Sequence, residues 1–311
     1  MKFKYRFLLA LCAAALLSGC GHTHQTSGVW QADAEKHWQT CADCGQTAEE
    51  AAHTLDESGV CALCGAEVID WGDSRSVYQY NEHGDLLRSA DYDADGTVIT
   101  ETVNTYEYDA DGMLLRAAAM TDGVLTEESD YTVVDGECVI SRLVGYMTDG
   151  SHYVDEYDTF GNVVRMTTYN AEGALDQQMD SEYALLEDGQ WVEVQSTITE
   201  ADGTRFVSGY SETGDQVSAV HYEADGSVAS VSRWDYTYDE DGNWKTVQYF
   251  CNGALTTDMI YATEATEDGS TTYPQTVTEY AEDGGWTVTV NDADGNVLSE
   301  TRYDAAGNEL A

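Results

Sequence analysis

A glycine–tyrosine–glycine register repeats along the chain and constrains its fold more than any other feature. Gly84-Asp85 leads to Tyr92-Asp93-Ala94-Asp95-Gly96, and Gly161-Asn162 leads to Tyr169-Asn170-Ala171-Glu172-Gly173. The register returns from Gly214 to Tyr222 and Gly226, and from Gly295 to Tyr303 and Gly307. In every copy the tyrosine falls eight positions after the first glycine, and the second glycine four after that. In the first three copies a further tyrosine (Tyr106, Tyr183, Tyr236) and a further turn glycine (Gly112, Gly189, Gly242) follow. A fixed period of this kind marks an internal structural repeat.

A four-residue Asx-x-Asp-Gly patch between runs rich in Val, Thr and Tyr is a hairpin signal. Glycine takes the positive φ that the turn needs, and Asp or Asn hydrogen-bonds its own nearby backbone. The roughly eight residues between turns span about 26 Å at about 3.3 Å per residue. Val163, Arg165, Thr167 and Tyr169 alternate with Val164, Met166 and Thr168. Both faces are therefore mixed, which suits a long twisted sheet better than a thick core. Helical spacing is missing here. The expected fold class is mostly β, an extended twisted antiparallel sheet of repeated β-hairpins over residues 69–311, with tyrosines stacking across strands.

Tyr157-Asp158-Thr159-Phe160-Gly161-Asn162, Tyr238-Asp239-Glu240-Asp241-Gly242-Asn243 and Tyr303-Asp304-Ala305-Ala306-Gly307-Asn308 resemble the YD repeats of RHS-type bacterial surface proteins. The likeness covers roughly residues 75–311, and turns such as Val134-Asp135-Gly136 and Cys251-Asn252-Gly253 depart from it. Large members of that family form a spiralling sheet that can enclose a toxin. This chain has too few repeats for a full shell, and its lone proline, Pro274, leaves no Pro-rich cleavage core.

Residues 1–19 read as a targeting leader, with Lys2, Lys4 and Arg6 ahead of an apolar run from Phe7 to Leu17. Leu17-Ser18-Gly19-Cys20 resembles the bacterial lipobox, which implies lipidation of Cys20. Lipid chains contribute about 0.8 kcal/mol per buried methylene, so two or three hold a protein at a membrane. A cleaved signal peptide or a short anchor is the rival reading. The expected location is the cell envelope, on the outer face of the cytoplasmic membrane or in an outer membrane. Residues 20–31, containing His22 and His24, read as a polar tether.

Residues 32–68 carry the sharpest chemistry. Cys41-Ala42-Asp43-Cys44-Gly45 and Cys61-Ala62-Leu63-Cys64-Gly65 are two CxxCG knuckles separated by sixteen residues. Four thiolates at that spacing match a structural zinc ribbon built on Cys41, Cys44, Cys61 and Cys64. In such knuckles backbone N–H groups fold back onto the sulfurs. So short a module buries little core, and metal binding of about 10–16 kcal/mol supplies the missing folding energy. Disulfide pairing is the main alternative outside the cell, and redox activity lacks its βαβ context. His37-Trp38-Gln39-Thr40-Cys41 with Ala52-His53-Thr54 also resembles a small ribbon of exported proteins in Gram-positive gut bacteria, over about Trp30 to Val68. That resemblance implies that Trp38 packs over the site, with His37 and His53 as supporting partners or alternative ligands. Cys138 and Cys251 either form a long-range disulfide or stay as small apolar residues.

The formal charge is -45, and loss of the leader makes it three units more negative. That charge repels nucleic acid, and no basic patch offsets it. With 21 Tyr, 5 Phe and 42% hydrophobic residues, wholesale disorder is disfavoured. Asp91, Asp93, Asp95 and Gly96 fit the opening of a calcium loop, but Thr102 stands where the bidentate Glu belongs and the flanks are strand-like. No nucleophile elbow, phosphate loop or zinc-hydrolase helix is present. The expectation is a non-catalytic envelope lipoprotein presenting an acidic repeat surface to a glycan, wall polymer or protein. A structural spacer and a glycan hydrolase with a carboxylate pair are the rivals.

Overall fold

The computed structural model describes residues 24–266 and 269–310. The leader and Cys20 lie outside the described residues. The described residues form twenty-three strands and no helix, and the chain divides into two compact units, Met1–Glu128 and Ser129–Ala311.

The first unit opens with an antiparallel sheet of β1 (Thr26–Ala32), β2 (Lys36–Cys41) and β3 (Thr47–Ala52). The segment read as a tether therefore contributes most of β1. Next come β4 (Glu67–Asp70), β5 (Ser74–Tyr80), β6 (Leu86–Asp93), β7 (Val98–Tyr108) and β8 (Leu114–Thr121), with each strand from β5 onward antiparallel to the one before. β9 (Val124–Val134) crosses the boundary between units. In the second unit the strands from Glu137–Tyr146 to Glu309–Leu310 pair in the same consecutive antiparallel way.

The division at residue 68 is not a break in packing. Ala32, Ala34, Ala66 and Val68 share one buried cluster with Val77 of β5 and with Ala90 and Tyr92 of β6. Side chains of the repeat reach back across it: Arg88 Nη1 donates to the Ala32 carbonyl at 2.8 Å and Gln79 Nε2 to that of Trp30 at 3.1 Å. The N-terminal module and the first hairpins thus share a core.

The hairpins follow one scheme. At Asp109-Ala110-Asp111-Gly112, Asp109 N donates to the Met113 carbonyl and Gly112 N to that of Asp109. Asp109 Oδ1 accepts from Asp111 N and Met113 N, both at 2.9 Å. This is a three-residue loop, a tight turn followed by a left-handed residue. The eleven repeat-turn glycines (Gly84, Gly96, Gly112, Gly161, Gly173, Gly189, Gly214, Gly226, Gly242, Gly295 and Gly307) all have φ between +77° and +90°. Asn81, Asp93, Asp158, Asn170, Asp239, Asp292 and Asp304 repeat the role of Asp109, and Ser211 fills it with a hydroxyl. Turns departing from this scheme, Asp122-Gly123, Asp135-Gly136 and Asn252-Gly253, have positive φ at both residues, as two-residue primed turns require.

A one-residue register slip recurs just before the turn tyrosines Tyr80, Tyr92, Tyr108, Tyr169, Tyr210, Tyr222 and Tyr238. Such bulges tighten the twist and re-aim side chains. Tyr108 accordingly donates to Asp85 Oδ2, and Tyr238 to Asp215 Oδ2 at 2.5 Å. Two residues earlier, Tyr106 donates to the Leu86 carbonyl at 2.8 Å and Tyr236 to that of Gln216 at 2.9 Å. The same bonds thus recur in both units.

Few residues of the sheet are fully buried, so pairs across strands carry much of its order. Trp234 and Tyr249 are direct cross-strand partners with ring centroids 5.0 Å apart, as are Trp286 and Tyr303 at 5.2 Å. The repeat histidines join the same stacks: His83 on Tyr108, His152 on Tyr169 and His221 on Phe206. Arg233 lies over the ring of its partner Phe250 at 4.2 Å. Cys138 and Cys251 are both free thiols.

Candidate metal centre

The four knuckle cysteines do not gather around one point. Cys61 and Cys64 meet His37 and His53, while Cys41 and Cys44 meet His24. Within each group the ligand atoms lie within 4.8 Å of one another. Two mixed His/Cys groups thus form where the spacing suggested one four-cysteine centre.

Strand alternation explains which histidine faces inward. Along β2, His37, Gln39 and Cys41 are buried while Lys36, Trp38 and Thr40 are half-buried on the opposite face. His37 and its neighbour Trp38 therefore cannot both face the site. Trp38 pairs with Gln31 of β1 and donates Nε1 to its Oε1 at 2.7 Å. The aromatic beside the cluster is Trp30, whose ring stands edge to face with His37 at 4.7 Å. The role expected of Trp38 belongs to Trp30, a correction that β1–β2 pairing dictates.

His53 is aimed by the loop between β1 and β2. Asp33 Oδ1 accepts from Glu35 N and Lys36 N, both at 2.8 Å, fixing that loop. The Asp33 carbonyl then takes His53 Nε2 at 2.9 Å. An Nε2–H donated there leaves the Nδ1 lone pair free, which is the way outer partners orient a ligating histidine. His53 Nδ1 lies 3.6 Å from Cys64 Sγ and 3.4 Å from His37 Nδ1, which lies 3.6 Å from Cys61 Sγ. His37 is fully buried and its Nε2 has no hydrogen-bond partner.

The knuckle itself is a tight turn. Cys61 N donates to the Ala66 carbonyl at 2.9 Å and Gly65 N to that of Cys61 at 2.8 Å. Burial works to raise the Cys61 thiol, but the Cys64 N–H, His53 and the Leu63 and Thr54 backbone outweigh it and bring it down to about 5. Burial lifts Cys64 to about 11 despite the Ala66 N–H, and neighbouring Cys61 adds to the rise. The two neighbouring thiols therefore titrate far apart, Cys61 first.

The acids that opened the would-be calcium loop are held by protein groups. Asp93 Oδ1 accepts from Asp95 N and Thr97 N at 3.0 and 2.8 Å, and Asp91 Oδ1 accepts from the Ser76 hydroxyl at 2.6 Å. The flanks of that would-be calcium loop are strands β6 and β7. In the second unit an open groove is lined by Tyr238, Asp239, Glu240, Trp244, Lys245, Tyr261 and Thr263. Asp215 fixes two of its aromatics, accepting from Tyr238 and from Trp244 Nε1 at 2.9 Å.

No protein-family model matches the chain, and no curated protein matches it. Among solved structures, a porin-like protein from Bacteroides uniformis is similar at 12% identity over 68% of this chain and 93% of that one, with a TM-score of 0.24. A chain of the TcdB2-TccC3-Cdc42 structure is similar at 12% identity over 76% of this chain and 22% of that one, with a TM-score of 0.15. Both superpositions are loose, so the hairpin architecture rests on this chain's own strand pairing.

Proposed function

We propose that this chain is a non-catalytic cell-envelope lipoprotein whose N-terminal module is held by a structural zinc ion on His37, His53, Cys61 and Cys64. The supporting observation is a set of distances. Zinc bonds of about 2.3 Å to sulfur and about 2.05 Å to nitrogen, set tetrahedrally, put N···N edges at about 3.3 Å and N···S edges at about 3.6 Å. The measured edges are 3.4 Å for His37–His53 and 3.6 Å for both His–Cys contacts. All four positions are filled by protein, the mark of a structural rather than a catalytic site. The lipobox-like Leu17-Ser18-Gly19-Cys20 supports envelope anchoring.

Elemental analysis of the purified full chain tests this reading. Bound zinc, with the ion at the second knuckle lost together with N-terminal order in His37→Ala, is the expected result. Absence of zinc with all four knuckle thiols oxidised would replace it with a disulfide-held module.

The groove at Trp244 favours a binding role over a bare spacer. Aromatic faces flanked by the carboxylates of Asp239 and Glu240 and the ammonium of Lys245 suit a glycan's alternating apolar and hydroxyl surfaces. A glycan array on the full chain, with signal lost in Trp244→Ala, is the expected outcome. An array without signal would favour the spacer role.

A further inference from the structure

The first knuckle repeats the second, bond for bond. Cys41 N donates to the Gln46 carbonyl at 2.7 Å as Cys61 N does to Ala66, and Gly45 N donates to Cys41 at 2.9 Å as Gly65 N does to Cys61. The two glycines have φ of +71° and +69°. The match extends to the chain that lies against each knuckle. Ala62 N donates to the Thr54 carbonyl at 3.2 Å, one residue after His53, and Ala42 N donates to the Gln25 carbonyl at 2.9 Å, one residue after His24. His24 is therefore the positional counterpart of His53. It contacts the counterpart cysteine as well: His24 Nδ1 is 3.5 Å from Cys44 Sγ, and His53 Nδ1 is 3.6 Å from Cys64 Sγ. Both distances match the about 3.6 Å N···S edge of a tetrahedral zinc site.

We infer that His24, Cys41 and Cys44 bind a second zinc ion, separate from the one at His37, His53, Cys61 and Cys64. This inference rests on the geometry of the first knuckle and its match to the second, and its failure would leave the site at His37, His53, Cys61 and Cys64 standing. The two sites differ in accessibility. Cys41 is buried, but Cys44 is half-buried and His24 exposed, whereas His37 and Cys61 of the other cluster are both sealed from solvent. The second ion therefore exchanges first. Its position gives it a mechanical role. His24 lies two residues before β1 and four after Cys20, so on the lipoprotein reading the ion ties the chain next to the anchor to the first knuckle.

The experiment is zinc stoichiometry of the full chain, repeated after cobalt substitution to read thiolate-to-metal absorption. Wild type should hold two ions per chain, each with two thiolates. His24→Ala and Cys44→Ser should each remove one ion and leave the other with its absorption intact. His24 is exposed, so its replacement leaves the fold in place, and the ion at the second knuckle serves as an internal control. Cys64→Ser should remove the other ion. One ion in wild type that survives both His24→Ala and Cys44→Ser would overturn this inference and leave the first site standing. One ion lost equally in Cys44→Ser and Cys64→Ser, but kept in His24→Ala and His37→Ala, would restore a single four-cysteine centre and overturn both.

Discussion

The N-terminal module and the hairpin sheet reach order by opposite routes. Between residues 24 and 70, groups far apart in sequence converge: His37 and Cys61 are 24 residues apart, and His53 is tied to the Asp33 carbonyl across 20. Across the second unit most order is local, with each turn closed within five residues and each strand paired to the next. A short segment with little core needs one strong central tie, because closing its loops costs entropy that few contacts repay. A hairpin array spreads the same task over many weak and nearly equal contacts. Loss of one tie should therefore disorder the module, while loss of one turn should leave the sheet in place.

Three substitutions sharpen this contrast. The largest effect belongs to Cys64→Ser, which should release the ion at the second knuckle and remove up to about 10 kcal/mol of metal-linked folding energy. Circular dichroism and limited proteolysis should then show cleavage confined to the N-terminal module. Collapse of the whole chain would erase the contrast. A smaller effect belongs to Gly242→Ala, which forces a side chain into a left-handed conformation at a cost of about 1–2 kcal/mol. Its melting point should fall modestly, with strand content at 25 °C unchanged.

The smallest effect depends on pH. The Asn308 side chain, then the Asn308 backbone N–H, holds the Asp304 carboxyl below its usual range. A carboxyl lowered in the folded state adds stability above its unfolded value of about 3.9 and loses it as pH falls through the folded value. The stability difference between wild type and Asp304→Ala should therefore be greatest at neutral pH and shrink below about pH 4. A difference that grows in acid would contradict the turn chemistry.

The sheet was legible because its instructions are local. Asp-x-x-Gly carries both the acceptor and the left-handed residue within four positions, so turn and strand follow without knowledge of the rest of the chain. Both knuckles were legible for the same reason. The sorting of ligands was not, since one four-cysteine centre and two mixed centres share the CxxCG spacing. Only the pairing of β1 with β2 sets Trp30 rather than Trp38 beside His37, and only the Asp33 loop brings His53 to Cys64. One signal was available in the sequence. Period-two alternation from Lys36 to Cys41 already sets His37 and Cys41 on one face and Trp38 on the other. The shared core across residue 68 left no comparable trace, because Val77 and Ala90 look like ordinary strand residues.

Hydrogen–deuterium exchange on the full chain, with and without a strong zinc chelator, tests the central claim most directly. The account predicts that chelation strips protection from β1, β2, β3 and the second knuckle while strands from Glu137–Tyr146 onward keep theirs. Unchanged protection in the module, or equal loss along the whole sheet, would contradict it.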